Sequence, residues 1–270
     1  MKKSIGVCEW YMPVKGPSLF SQLKSCGIDS FQMETGIYEE GVPSVFPEVQ
    51  EAYLAAAECS KITINSAANM SLCTYGPCHP QNTPKYDAAK EIIEKSLYAV
   101  SQMQIPIFMI QSFGDGDIQD EDSFLNTAKM LQWASELGAD LGVKIASENT
   151  LNLEDNLRLI EFVGMDNFGL GFDIQNGYAL KGHDIPQMIR QLAGFFTMVH
   201  IKDGKGSALG MSHFGEGDSR FFDSIKALKE SGYQGPVISE SAYKKLDFYR
   251  TDGSPFAAIR KDVEIYQGTI

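Results

Sequence analysis

Four residues of this 270-residue chain have the types and positions needed to hold a metal ion. Glu148, Asp173, His200 and Glu240 each lie at or beside the carboxyl end of a short apolar run, in segments 144–148, 168–173, 197–201 and 236–240. Three carboxylates and one imidazole supply hard oxygen ligands and one nitrogen. That set suits Mn²⁺, Mg²⁺, Co²⁺ or Zn²⁺ and leaves coordination positions for water or substrate. A single carboxylate at a strand end is commonly a loop cap or a salt-bridge partner. Four such residues on four consecutive strand ends are harder to explain that way. Carboxylates crowded in a partly buried mouth repel one another and resist ionisation, a cost that a cation removes.

The elements that must position these residues follow from the hydrophobic pattern. Apolar segments at 5–10, 30–34, 62–66, 105–111, 144–148, 168–173, 197–201 and 236–240 read as strands. They alternate with helical patterns at 18–26, 47–60, 84–103, 122–141, 152–163, 185–193, 219–231 and 256–266, the fourth capped by Asp122 or Ser123. Near-continuous apolar strands between helices imply a parallel sheet covered on both faces. Eight such units in this length predict an α/β fold, a (β/α)8 TIM barrel forming a single domain over residues 1–270. A dinucleotide-binding sheet is disfavoured, because Cys8-Glu9-Trp10 stands where a Gly-rich turn would follow the first strand. Barrel enzymes work at the carboxyl ends of their strands, which is where the four candidate ligands fall.

Composition narrows the partners. With 43% hydrophobic and 21% charged residues the chain can bury a large core without disulfides. A net charge of −12 opposes a nucleic-acid partner and offers no attraction to anionic lipid. Met1-Lys2-Lys3 begins like an export signal, but no apolar core or cleavage site follows, and no run reaches the ~18 apolar residues of a membrane span. A cytoplasmic protein is expected. The five cysteines suit a reduced protein. Cys73, Cys78 and His79 could suggest a zinc loop, but no second ligand pair follows them. His79, His183 and His213 fall in loops, where surface histidines are the default. Trp10 could wall the pocket or simply pack.

Five stretches together resemble the sugar-phosphate isomerases and epimerases with a xylose-isomerase-like TIM barrel. They are Ser147-Glu148-Asn149, Gly171-Phe172-Asp173-Ile174-Gln175-Asn176, Val199-His200-Ile201-Lys202-Asp203, Phe214-Gly215-Glu216-Gly217-Asp218 and Gly235-Pro236-Val237-Ile238-Ser239-Glu240. The set covers the C-terminal half in the family's order and spacing; the N-terminal half matches in strand–helix rhythm. The resemblance implies that Glu148, Asp173, His200 and Glu240 bind one divalent metal ion, and that Glu148 and Glu240 act as the acid/base pair of a ketose 3-epimerase. Inverting a carbon through an enediolate requires a base on each face.

The resemblance is closest to pentulose-5-phosphate (L-ribulose or L-xylulose 5-phosphate) 3-epimerases. Asn176 stands where free-sugar epimerases have a substrate-contacting histidine, and Gly206 where they have an arginine. Glu154 matches a substrate-contacting glutamate by spacing, or is an acid favoured by a helix dipole. For a phosphate, the candidate contacts are Lys202, Lys205 and Arg220, with Gly215 to Asp218 leading into a helix. The expected partner is a small carbohydrate, and family habit points to a homodimer or homotetramer. On the same scaffold an aldose–ketose isomerase or an inosose or dehydroshikimate dehydratase would use similar residues. A repair endonuclease is disfavoured by the net charge and by a total of only four histidines.

Overall fold

The computed structural model describes residues 4–269, so Met1 to Lys3, where the export-signal-like start was noted, lie outside the described residues. Eight strands run in parallel and pair in chain order to close a barrel, β1 Gly6–Cys8, β2 Ser30–Glu34, β3 Thr63–Ala68, β4 Ile107–Gln111, β5 Lys144–Glu148, β6 Phe168–Asp173, β7 Phe196–Ile201 and β8 Val237–Ser239. The helices are α1 Phe20–Ser25, α2 Pro47–Ser60, α3 Pro84–Gln102, α4 Glu121–Leu141, α5 Leu153–Val163, α6 Asn176–Lys181, α7 Ile185–Leu192, α8 Phe221–Glu230, α9 Leu246–Tyr249 and α10 Pro255–Gly268. The backbone groups into two compact units. One runs to Gln32 and takes in Tyr53–Ile64 and the chain from Asp173 onward; the other comprises Met33–Ala52 and Asn65–Phe172.

The strands are apolar because helices cover one face and neighbouring strand side chains the other. All five residues of β4 are buried, as are Gly169–Asp173 of β6. Burying each such Ile, Leu, Val, Phe or Met side chain contributes about 1.5–3 kcal/mol. Helix ends are set locally. Thr83 accepts from Tyr86 N ahead of Pro84, and Asn152 accepts from Asp155 N. Gly142 and Gly164 close α4 and α5 in the left-handed conformation, at φ 71° and 62°.

Four expectations need correction. The cap of α4 is Asp120, in a reciprocal capping box with Ser123, so the helix begins earlier than either expected cap. The first strand ends at Cys8, and Glu9–Tyr11 turn in a 3₁₀ helix from which Trp10 reaches Glu240. The short helices α6 and α9 interrupt what read as loops. His213 is buried rather than on the surface, between Asp262 (Nδ1 to Oδ1, 2.7 Å) and Asp252 (Nε2 to Oδ2, 2.9 Å).

The connection from β7 to α8 is organised by one carboxylate. Asp203 accepts hydrogen bonds from Gly215 N (2.9 Å), Gly217 N (3.0 Å) and Gly204 N (2.9 Å), and from Ser219 Oγ (2.6 Å). Gly217 has no room for a side chain, since a Cβ there would collide with Asp203 Oδ1. Asp203→Ala should leave these four donors without their acceptor, of which Gly204 N and Ser219 Oγ are buried, and lower stability by roughly 2–4 kcal/mol. Thermal or urea denaturation checks this, and a variant as stable as the parent would refute the clamp.

Candidate metal centre

The strand ends converge as their positions suggested. Glu148 ends β5, Asp173 ends β6, His200 is the penultimate residue of β7, and Glu240 follows β8. Each offers a ligand atom, and the four atoms lie within 4.8 Å of one another. All four residues are buried, none more than 6% exposed. Backbone bonds hold three of these tips in step: Ile174 N donates to His200 O at 3.1 Å, and Glu240 N to Ile201 O at 3.0 Å.

Each side chain is steered by neighbours. Asp173 Oδ1 accepts from Gln175 N (2.7 Å) and Asn176 N (2.5 Å) at the start of α6. Its Oδ2 is buried without a hydrogen bond, with the Lys202 ammonium 3.2 Å away. Glu240 Oε1 accepts from Trp10 Nε1 at 2.8 Å, and Oε2 accepts from Lys202 Nζ. Burial would raise the Glu240 carboxyl, but the Lys202 ammonium, the neighbouring His200 and the hydrogen bonds from Lys202 and Trp10 outweigh it and hold it below the usual carboxylate value. Glu240 is therefore kept ionised. The Trp10 and His200 rings meet edge-on, centroids 6.0 Å apart, so Trp10 both walls and orients the cluster.

The residues fit a divalent cation. The donors are three carboxylate oxygens and one imidazole nitrogen, and Asp173 Oδ2 faces the cluster with no hydrogen bond to saturate it. With His200 neutral, as a ligating imidazole must be, the three formal carboxylate charges set against the Lys202 ammonium leave an excess of two, which a divalent ion would neutralise.

The remaining sequence candidates are placed less uniformly. Lys202 is buried and joins the carboxylates rather than a separate phosphate pocket. Lys205 is exposed on its loop. Arg220 is half exposed and pairs with Asp184 (3.3 Å) and Asp223 (3.1 Å). The amides of Gly215 and Gly217 point at Asp203, so this loop does not form the open N–H cradle expected of it. Asn176 is buried beside Asp173, and Glu154 is exposed in the first turn of α5, where the helix dipole favours an acid. The five cysteines are free thiols. Cys78 Sγ donates to Asp115 O at 3.1 Å, and His79 pairs with Asp115 at 2.6 Å.

Residues 20–267 match the xylose isomerase-like TIM barrel family, and the chain belongs to that family. Over 244 residues it is 25% identical to 2-epi-5-epi-valiolone 7-phosphate 2-epimerase of Actinoplanes sp., covering 89% of this chain and 87% of that protein. The fold is similar to D-psicose 3-epimerase with D-tagatose from Clostridium cellulolyticum H10 (TM-score 0.77, 12% identity, 97% of this chain and 96% of that one). It is also similar to the IOLI protein with a zinc atom (TM-score 0.79, 16% identity, 98% and 97%). No helix among the described residues is long and apolar enough to cross a membrane.

Two measurements probe this region. His200→Ala should lower the stoichiometry of bound Mn²⁺ or Zn²⁺ after reconstitution and desalting; an unchanged stoichiometry would remove His200 from the ligand set. The second concerns His213. Burial alone would lower its pKa, but Asp262 and Asp252 outweigh burial and the opposing charge of Lys261 and hold it above the usual value. Its stabilising contribution is thus fully present below the unfolded value of about 6.5 and lost as pH rises through the higher folded value. The melting temperature should fall with rising pH across that window, and His213→Gln should flatten the fall; equal slopes would disprove the pairing.

Proposed function

We propose that this chain is a divalent-metal-dependent epimerase of a ketose or ketose phosphate, inverting C3. The observation that carries the reading is the buried Glu148–Asp173–His200–Glu240 cluster at the strand ends. Glu148, Asp173, His200 and Glu240 are the residues that would hold the ion. When bound, the ion supplies Lewis acidity that makes the hydrogen beside a sugar carbonyl more acidic.

The protein side of the reaction falls to the two glutamates. Glu148 and Glu240 come from the non-adjacent strands β5 and β8, an origin suited to serving opposite faces of a substrate. One removes the C3 proton and the other returns a proton from the other side. Glu240 is equipped for this because Trp10 and Lys202 fix its two oxygens and keep it ionised. Burial of the cluster strengthens these electrostatic interactions by excluding water. Asn176 and Lys202 are the proposed substrate contacts nearest the cluster.

The relatives' names support sugar epimerisation without agreeing on the carbon, one being a 2-epimerase and another a 3-epimerase. The choice of Mn²⁺, Mg²⁺, Co²⁺ or Zn²⁺, a single-domain barrel, a homodimer or homotetramer and a cytoplasmic setting belong to the same proposal.

The test is turnover in D₂O of free and phosphorylated pentuloses and hexuloses with Mn²⁺. Deuterium at C3 with inversion is expected. Exchange confined to C1 would reassign the reaction to aldose–ketose isomerisation, and loss of water to dehydration. Glu148→Gln and Glu240→Gln should each lower turnover by about 10²–10⁴-fold. Near-normal rates in either variant would overturn the two-base assignment.

A further inference from the structure

His200 must present a lone pair to act as a ligand, and the structure shows what decides which nitrogen has it. Its Nε2 lies 2.7 Å from Gln32 Oε1, on the non-adjacent strand β2. Its Nδ1 is the nitrogen on the cluster side, 3.7 Å from Glu240 Oε2, a separation too long for a hydrogen bond. The orientation of the Gln32 amide is set in turn by a third residue. Gln32 Nε2 donates to Met198 Sδ at 3.6 Å, and a thioether sulfur accepts but cannot donate. Met198 and His200 are two residues apart on β7 and so point to the same side of the sheet. With its NH₂ turned toward sulfur, Gln32 can offer His200 only a carbonyl oxygen. That oxygen accepts, so Nε2 carries the proton and Nδ1 keeps its lone pair. The three side chains are buried, so water does not compete for either contact.

We infer that Gln32 is a positioning residue for the metal centre: it holds His200 in the Nε2–H tautomer so that Nδ1 is the ligand atom, and Met198 fixes the Gln32 amide. The inference rests on the proposed reading of the cluster as a cation site. Gln32 acts on the cluster through its bond to His200. A neutral amide does this without adding a fourth carboxylate to a region already rich in negative charge, whereas a glutamate in its place would deepen the burial cost. Hydrogen-bonded partners of this kind orient a ligating imidazole and raise its affinity for metal.

The test has two arms that separate the inference from the reading beneath it. Long-range ¹H–¹⁵N NMR on histidine-labelled, metal-free protein, with His200 assigned by its loss in His200→Ala, should show a protonated Nε2 and an unprotonated Nδ1. The reverse tautomer would overturn the inference whatever the variants do. In the second arm Mn²⁺ affinity is measured by calorimetry. Gln32→Leu, which puts in an apolar side chain of similar reach with no acceptor atom, should bind roughly 10- to 100-fold more weakly with a near-parental melting temperature of the metal-free form. Gln32→Glu, which restores an acceptor, should bind more tightly than Gln32→Leu. Parental affinity in Gln32→Leu would overturn the inference and leave the cation site standing. Failure of the parental protein to bind Mn²⁺ or Zn²⁺ would instead overturn the cation site, and the inference with it.

Discussion

The structure depends on a concentration of buried negative charge. Glu148, Asp173 and Glu240 have ligand oxygens within 4.8 Å of one another and are almost fully withdrawn from water. Ionised carboxylates so placed cost several kcal/mol each unless a positive charge compensates them. Lys202 supplies one such charge from within the cluster, bonded to Glu240 and 3.2 Å from Asp173. A lysine that read as an anion-binding group for the substrate is thus first of all a counter-ion for the protein's own carboxylates. The excess of two that remains is the electrostatic argument for a divalent ion.

A second regularity is the division of labour within each side chain. Asp173 gives Oδ1 to two backbone amides and aims Oδ2 at the cluster. Glu240 gives Oε1 to Trp10, and His200 gives Nε2 to Gln32. One polar atom of each anchors the residue and the other faces the cluster, where Lys202 meets Asp173 Oδ2 and Glu240 Oε2. This pre-orientation means that little side-chain freedom is lost when an ion or a transition state forms, which is where preorganised sites gain their advantage. It also makes the supporting residues, Trp10 and Gln32, part of the site although they supply no ligand atom.

Farther out, two carboxylates serve structure alone. Asp203 gathers the amides of the β7–α8 loop. Asp262 on α10 receives His213, Tyr243 and Phe214 N, and Tyr243 in turn meets Ser239, the residue before Glu240. Burial raises the Asp262 carboxyl, while bonds from His213, Tyr243 and the Phe214 amide oppose that rise. The acid-rich composition of the chain therefore has internal uses besides surface solubility.

The barrel and the four strand-end residues were legible because parallel strands buried on both faces are continuous apolar runs, and a polar residue that ends one stands out. The bounds of β2, α2, β5 and β6 follow the hydrophobic pattern residue for residue. The exposed positions misled where tertiary contacts override local pattern. His213 read as a surface histidine because its two aspartates lie 39 and 49 residues away, and the Gly215–Asp218 loop read as a phosphate cradle because Asp203 leaves no local trace of accepting its amides. Gln32 carried no signal, since an amide within a strand becomes functional only when a histidine 168 residues distant faces it. Periodicity along the chain was enough to establish the scaffold, and the residue types at its strand ends marked the candidate ligands. Which atom of each side chain is anchored and which faces the cluster depends on hydrogen bonds between residues far apart in the chain, and those exist only once the barrel has closed.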